Sequence, residues 1–437
     1  MIARIKCQID ICQVSRQTRR FSYFKKIEGH IIAITKMEAP QSCDTFVVLP
    51  PLTKYGVVFG KNSDRPQGEI QEVVYFPATQ RDGKIKCTYI EIDSEGPSQA
   101  VILSKPGWMW GAEMGANESS VVIGNEAIWT RDTNKEFDPV VKRLLGMDLV
   151  RLGLEYGKTA EDACNVIVKL LEKYGQGGPC SQNDPNFGYH NSFLIADPTC
   201  AWVLETIGKH WVAKKITEGY YNISNSLSIT TDFDKHSEGL LEYAKEKCLW
   251  DSEGKFDFAA AFCAGSKIGC ERYDAGKELL ADLTAPKCFN ERAMFGLLRD
   301  GKSGICRTVS EAFPTQGSQV STLVAQGPSI HWFTATPDPS HSVYKPFAFT
   351  PNVKVSVHTK CPENEPGAKH RLYELHEKAT SDAKKSGQVL PLLCSMEKQC
   401  VQELNDLVEE IKQNPDKLSE LDDLFKDAVE TEVKFYR

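Results

Sequence analysis

The sequence predicts an α+β layered fold, mostly antiparallel sheet with helices outside it. Three observations predict this. Short apolar runs bounded by Pro, Gly, Asn and Asp recur from residue 44 to residue 335, the mark of strands joined by turns. Helical periodicity is confined to separate windows between those runs. From about Pro362 the strand signals vanish, and residues 366–437 are rich in Lys, Glu, Asp and Leu. That tail reads as a helical appendage, residues 362–437, packed on a body that spans 43–361.

Taken in order, residues 44–49 and 56–60 are apolar runs separated by Pro50 and Pro51, which predicts a hairpin. Strand-like runs follow at 70–76, 86–92, 100–104 and 119–124. A helix is predicted after Thr159, a good N-cap, because Ala163, Val166, Ile167, Leu170 and Leu171 share one face before Gly175 stops it. Strands return at 192–196, 201–205, 210–213 and 226–230. Residues 236–300 are helical or mixed, and two more strands are expected near 319–324 and 330–335. In the appendage Leu404, Leu407, Val408 and Ile411 recur at helical spacing.

Composition narrows the function. The 437 residues carry a net charge of -7, with 41% hydrophobic and 25% charged residues, an ordinary globular balance. The acidic sign argues against a general nucleic-acid binder. No apolar run approaches the ~20 residues that span a bilayer. Residues 1–36 hold eight Lys/Arg and two Asp/Glu, against 44 and 57 in the remainder. This basic stretch is foreign to the body, and the expected usual start is Met37, with residues 1–42 forming an extension and a short lead. Fifteen scattered cysteines without a Cys-x-x-Cys point to a reducing, cytoplasmic setting. They offer no zinc set, and neither a metal nor an organic cofactor is expected.

Cys43 opens the first strand of the body behind a Pro-containing lead. A free α-amine titrates near 7.7–8.0 and a thiol near 8.5, so a terminal amine on Cys43 can act as the base for its own side chain. That requires cleavage between Ser42 and Cys43, which attack of the Cys43 thiol on the Ser42 carbonyl would achieve. The ordinary fate of a free Cys is that of a small buried hydrophobe. A Cys–His pair is the competing mechanism, with His190 or His331 as partner, although a His beside an aromatic strand is more often a packed residue. Trp108 and Trp110 read as core or cleft wall.

The segments Ser42-Cys43-Asp44-Thr45-Phe46 and Phe59-Gly60-Lys61-Asn62-Ser63-Asp64-Arg65-Pro66 resemble the start of the secernin family. So do the stretches 72–77, 110–118, 145–155, 173–178, 189–197, 334–339 and 432–436. The resemblance runs from Met37 onward. It implies kinship with cysteine-type dipeptidases among the N-terminal nucleophile hydrolases, and a four-layer αββα sandwich. Carried over residue by residue, Cys43 matches the nucleophile. Gly60-Lys61-Asn62-Ser63-Asp64 matches an element in which an Arg lines the cleft and the Asp holds the terminal amine. Here Lys61 replaces the Arg, keeping the charge but losing the planar fork; the bland reading of Lys61 and Asp64 is a surface turn. Asn225 matches the oxyanion donor, and Asn125 resembles a second Asn position. Trp110 and Lys61 are assigned to substrate binding. The relatives also carry an Arg on a late strand; the equivalent segment 317–321 has none, and Arg307 lies upstream.

The expected function is therefore an autoprocessed cysteine hydrolase cleaving dipeptides or related small amides through a thioester. Two alternatives share the scaffold. One is a non-catalytic, secretion-linked regulator that meets a protein partner through the C-terminal helices. The other is a protein whose processed Cys43 terminus carries a carbonyl-type modification.

Overall fold

The computed structural model describes residues 22–27, 30–35, 43–131, 141–264 and 270–437. The chain divides into two units, Met1–Gln41 and Ser42–Arg437. Within the first, Ser22–Ile27 and His30–Thr35 form an antiparallel hairpin. Ser42 lies outside the described residues.

Two large antiparallel sheets organise the described residues of the second unit. The larger runs, edge to edge, Lys235–His236, His210–Ile216, Ala201–Ile207, His190–Ala196, Val122–Ile128, Met114–Asn117, Val101–Pro106 and Gln71–Phe76. The smaller runs Tyr220–Ile223, Asp44–Val48, Val57–Asp64, Thr315–Leu323, Ile330–Phe333 and Lys345–Phe347. Side chains on a strand alternate between faces, and the alternation here fixes the layers. Val47, Phe59, Val122, Leu194 and Val203 meet in a core between the sheets. Their neighbours Ile123, Phe193, Ile195 and Leu204 face the other way, onto Leu149, Leu152, Ile167 and Leu171 of helices Gly146–Tyr156 and Ala160–Tyr174. On the opposite outside, Phe46, Val48, Val58 and Val320 pack on Leu280, Phe295 and Leu298 of helices Glu271–Thr284 and Glu291–Leu298. Helix, sheet, sheet, helix is the expected four-layer sandwich, and both faces of each sheet are buried because each is covered.

The sheets approach closely at Gly124, where an added Cβ would lie 2.4 Å from Lys61 Cδ. Only glycine fits there, and this brings Val122–Ile128 down onto the strand that carries Lys61 and Asp64.

The C-terminal helices Arg371–Thr380, Ala383–Gln413 and Leu424–Tyr436 belong to the same compact unit. Phe425, Val429 and Tyr436 join the inter-sheet core, while Val401, Leu404 and Ile411 extend the outer one. Lys345 Nζ donates to Glu432 at 2.6 Å with both side chains fully buried. No helix among the described residues is long and apolar enough to cross a membrane.

Several local expectations are corrected. The run 86–92 is not one strand but a turn between Lys84–Lys86 and Glu91–Asp93, which pair with each other. The strand expected at 119–124 is Val122–Ile128, because the Asn117 side chain takes the amides of Ser119 and Val121 and turns the chain. Residues 227–230 form no strand: Glu205 captures Ser228 N, Ser228 Oγ and Ile229 N instead. The hairpin strand does not stop at Gly60 but continues to Asp64. Helix Gly146–Tyr156 was not anticipated; nearly all its residues are buried, and its polar stripe of Asp148, Arg151 and Glu155 is buried with them.

Candidate active site

Cys43 sits immediately before the strand Asp44–Val48, against the end of Val57–Asp64, and is buried. Its φ is 113°, a region that costs an L-residue of order 1–3 kcal/mol. Asp64 N–H donates to Cys43 Sγ at 3.1 Å. Burial pushes the thiol well above its usual pKa, with Lys61 opposing and Glu126, Asp64 and Glu113 adding to the rise.

Asp64 is not a surface residue but lies in the buried strand. Neither carboxylate oxygen completes a hydrogen bond among the described residues, and Arg307 Nε stands 3.8 Å from Oδ2. Burial lifts its pKa to about 7, against the pull of Thr315, Arg272 and Arg307.

Lys61 is wholly buried; its Nζ donates to Glu126 Oε1 at 3.2 Å and to Asn62 O at 3.3 Å. Thr45 Oγ1 donates to the same Glu126 oxygen, and Glu126 Oε2 has no partner among the described residues. Burial raises Glu126 to about 8, with Lys61 opposing. The ammonium thus lies between the sheets, under the thiol, rather than on an open wall.

Asn225 is half-buried. Its Nδ2 donates to Ala127 O at 2.8 Å, and its Oδ1 accepts from Arg272 at 2.5 Å. The same guanidinium donates to Asp44 Oδ2 at 2.9 Å and to Ser224 Oγ at 3.0 Å, and reaches Cys43 O at 3.5 Å. Ser224 Oγ donates to Asp44 Oδ1 at 2.6 Å. Arg272, from helix Glu271–Thr284, therefore ties Asn225 to the backbone of Cys43. Sequence reasoning missed it, seeking an arginine on a late strand, and it gave Arg307 too little weight.

Asn125 sits one residue from Glu126 and so faces the other way. Its amide donates to Asn191 Oδ1 at 3.0 Å and lies 3.5 Å from Met147 Sδ. Trp110 packs on the outer helical layer, with the Arg151 guanidinium 4.1 Å above its ring. Among the described residues no contact joins either to Cys43. The histidines are likewise apart from it. His190 Nδ1 pairs with Thr130 and its Nε2 accepts from Gly208 N–H, while His331 pairs with Ser321. Burial lowers both to about 3, so they are neutral. No group of residues that could hold a metal ion occurs among the described residues.

Beside the thiol, Arg65 donates to Glu69, Glu113, the Tyr189 hydroxyl and Cys180 O at 2.6–3.1 Å. Its charge is fully matched by two carboxylates, which braces the end of the strand.

Among solved structures, the chain is similar to a variant of conjugated bile acid hydrolase from Clostridium perfringens, with 14% identity and a TM-score of 0.40 over 72% of this chain and 99% of that one. A second variant of that enzyme gives 13% and 0.36 over the same shares. An ortholog of N-acylethanolamine-hydrolyzing acid amidase from Caenorhabditis elegans gives 12% and 0.35 over 64% of this chain and 92% of that one. The family model described as "Peptidase family C69" matches residues 98–277, a segment that holds Asn125, Glu126, Asn225 and Arg272 and leaves Cys43, Lys61 and Asp64 upstream. Through that segment the chain is similar to peptidase family C69.

Proposed function

We propose that this chain is an N-terminal cysteine hydrolase that cleaves dipeptides or related small amides after releasing its own residues up to Ser42. The observation that carries the proposal is the pairing of Cys43 Sγ with the backbone of Asp64, beside a buried carboxylate whose oxygens complete no hydrogen bond among the described residues.

The self-cleavage step follows from where the thiol starts. Cys43 Sγ attacks the Ser42 carbonyl carbon, the amide nitrogen of Cys43 takes a proton and leaves as an amine, and the thioester is hydrolysed by water. The strained φ at Cys43 is the torsion about its N–Cα bond with the Ser42 carbonyl carbon as its first atom, so rupture of that peptide removes the strain. The released amine becomes a charge partner for Asp64. A carboxylate held up near 7 by burial falls back into its ionised form when an ammonium arrives.

Turnover then uses the same atoms on a substrate. The amine accepts the thiol proton, the thiolate attacks the substrate carbonyl, and the amine protonates the departing nitrogen. Water hydrolyses the thioester. Asn225 spends one amide hydrogen on Ala127 and has a second for the oxyanion; Arg272 fixes its orientation. Lys61 supports the thiolate by charge from beneath. The resemblance to secernins and the reducing-compartment reading of the cysteines support a cytoplasmic enzyme of this kind.

The test is the N-terminal mass of protein made in cells, followed by turnover of a dipeptide library. A chain beginning at Cys43 that hydrolyses dipeptides is the expected result. Retention of Ser42 in most molecules removes the terminal-amine mechanism.

A further inference from the structure

Three routes, two through side-chain hydrogen bonds and one through the backbone, lead from the Cys43 site to one cluster of aromatic rings. From Asp64 the chain passes to Arg65, whose guanidinium donates to the Tyr189 hydroxyl at 3.1 Å. From Asn225 the amide reaches Ala127 O, two residues before Trp129. From Asp64, paired in register with Thr315, Arg65 N–H meets Pro314 O at 3.2 Å, next to Phe313.

The rings touch one another. Phe187 and Tyr189 lie 5.5 Å apart edge-on, Trp129 and Tyr189 5.8 Å, Phe187 and Phe313 6.1 Å in a stack, and Trp129 and Phe187 6.4 Å. Tyr189 is buried at the base, whereas Trp129, Phe187 and Phe313 each keep part of their surface open. Phe187 is the only large apolar side chain in the polar stretch 181–188, and Phe313 stands in a similar loop. A ring serving only the core would be covered. Rings left half-open beside a nucleophile are the apolar wall of a ligand site.

We infer that Trp129, Phe187, Tyr189 and Phe313 form a collar that receives an aromatic or bulky apolar side chain of the substrate next to the scissile amide. The inference rests on the proposed hydrolysis and names the substrate class for it. The four residues are specificity-determining, and the bond chemistry is the one already written.

The experiment compares wild type, Phe187→Ala, Phe187→Leu, Trp129→Ala and Tyr55→Ala, each checked for folding. Tyr55 is an exposed aromatic in the 50–55 turn and serves as the control. kcat/KM is measured on Ala-Ala, Phe-Ala and Ala-Phe. Wild type should prefer a Phe dipeptide, and Phe187→Ala or Trp129→Ala should reduce that preference by about tenfold, through KM. Phe187→Leu should restore part of it, and Tyr55→Ala should keep the wild-type ratio. Equal kcat/KM for all three dipeptides in wild type, or a preference that survives both truncations, overturns the collar. If wild type hydrolyses none of them, the proposed activity fails separately, and equilibrium binding to the same protein decides the collar. Saturable quenching of tryptophan fluorescence by a Phe dipeptide, lost in Phe187→Ala, supports it; absence of binding overturns it.

Discussion

Two regions of this molecule bury charge, and they do it differently. Where the C-terminal helices cover the sheet edge, Lys345 and Glu432 pair at 2.6 Å and the Tyr436 hydroxyl donates to the second Glu432 oxygen at 2.8 Å. Arg299 and Glu397 form a two-pronged pair with distances of 2.7 and 2.8 Å. These carboxylates have partners on both oxygens. At the Cys43 site, both Asp64 oxygens and one Glu126 oxygen complete no hydrogen bond among the described residues, and the backbone of Cys43 is strained. Leaving a buried polar group unpaired costs about 1–3 kcal/mol. The first region is built for stability. The second holds polar groups in reserve, which is what a site that must meet a new charge requires.

The comparison can be broken experimentally, and the largest effect is expected at the thiol. Cys43→Ala should reduce dipeptide turnover to background and should also retain Ser42 in the intact mass, since both steps use the same sulfur. Turnover that survives the substitution, or that is lost only with His190→Ala, removes the N-terminal nucleophile mechanism.

Next come two carboxamide swaps with opposite signatures. Glu432→Gln leaves the Lys345 ammonium buried without its counter-charge and should cost about 3–5 kcal/mol in urea unfolding. Asp64→Asn removes a buried carboxylate that completes no hydrogen bond among the described residues and has Arg307 only at 3.8 Å, so stability should hold or rise, while turnover should fall roughly a hundredfold or more. If Asp64→Asn destabilises as much as Glu432→Gln, the distinction between the two regions fails.

A smaller effect is expected in pH. Uncleaved protein keeps Asp64 at about 7, far above an unfolded carboxylate near 3.9. The folded state then binds more protons than the unfolded one between those values, so stability falls as pH rises from about 4 to 7, on the order of a few kcal/mol. The Asp64→Asn form of the uncleaved protein should lose that component. Cleaved protein should lose it too, because the amine restores the ionised carboxylate. Urea midpoints at pH 5 and pH 8 for the three species measure this; an identical slope in all three contradicts the assignment. The smallest effect is at the extension: removing residues 1–36, which lie in a separate unit, should leave the melting temperature unchanged.

Much of the fold could be read from the sequence because turn residues and period-two apolar runs are local signals. Cys43 was found at the head of the first such run and Asp64 through the resemblance to the secernin family, and the structure brings the thiol to the backbone of Asp64. What stayed hidden depends on parity and on distance along the chain. Asn125 and Glu126 are adjacent, yet on a strand only one of them can face Lys61, and it is Glu126. Arg272 reaches Asp44 from a helix 228 residues later, and no spacing rule announces such a contact. Lys61 was assigned to the substrate cleft, because nothing in the sequence reveals that Gly124 lets the opposite sheet close over it. Helix Gly146–Tyr156 was missed although Asp148, Arg151 and Glu155 recur along one face at helical spacing.

The covering of the sheet edge by late helices also sets a clock. Phe425 stacks edge-on against both Phe333 and Phe347, at 6.5 and 6.3 Å, and Tyr436 is part of the core between the sheets. The sheet that carries Cys43 cannot finish its core until those residues have left the ribosome. At ~5–20 residues per second, the nascent chain waits roughly 20–80 s after Cys43 is made. During that interval the edge strand Lys345–Phe347 lacks its cover, and the nascent chain is exposed to chaperones and to aggregation.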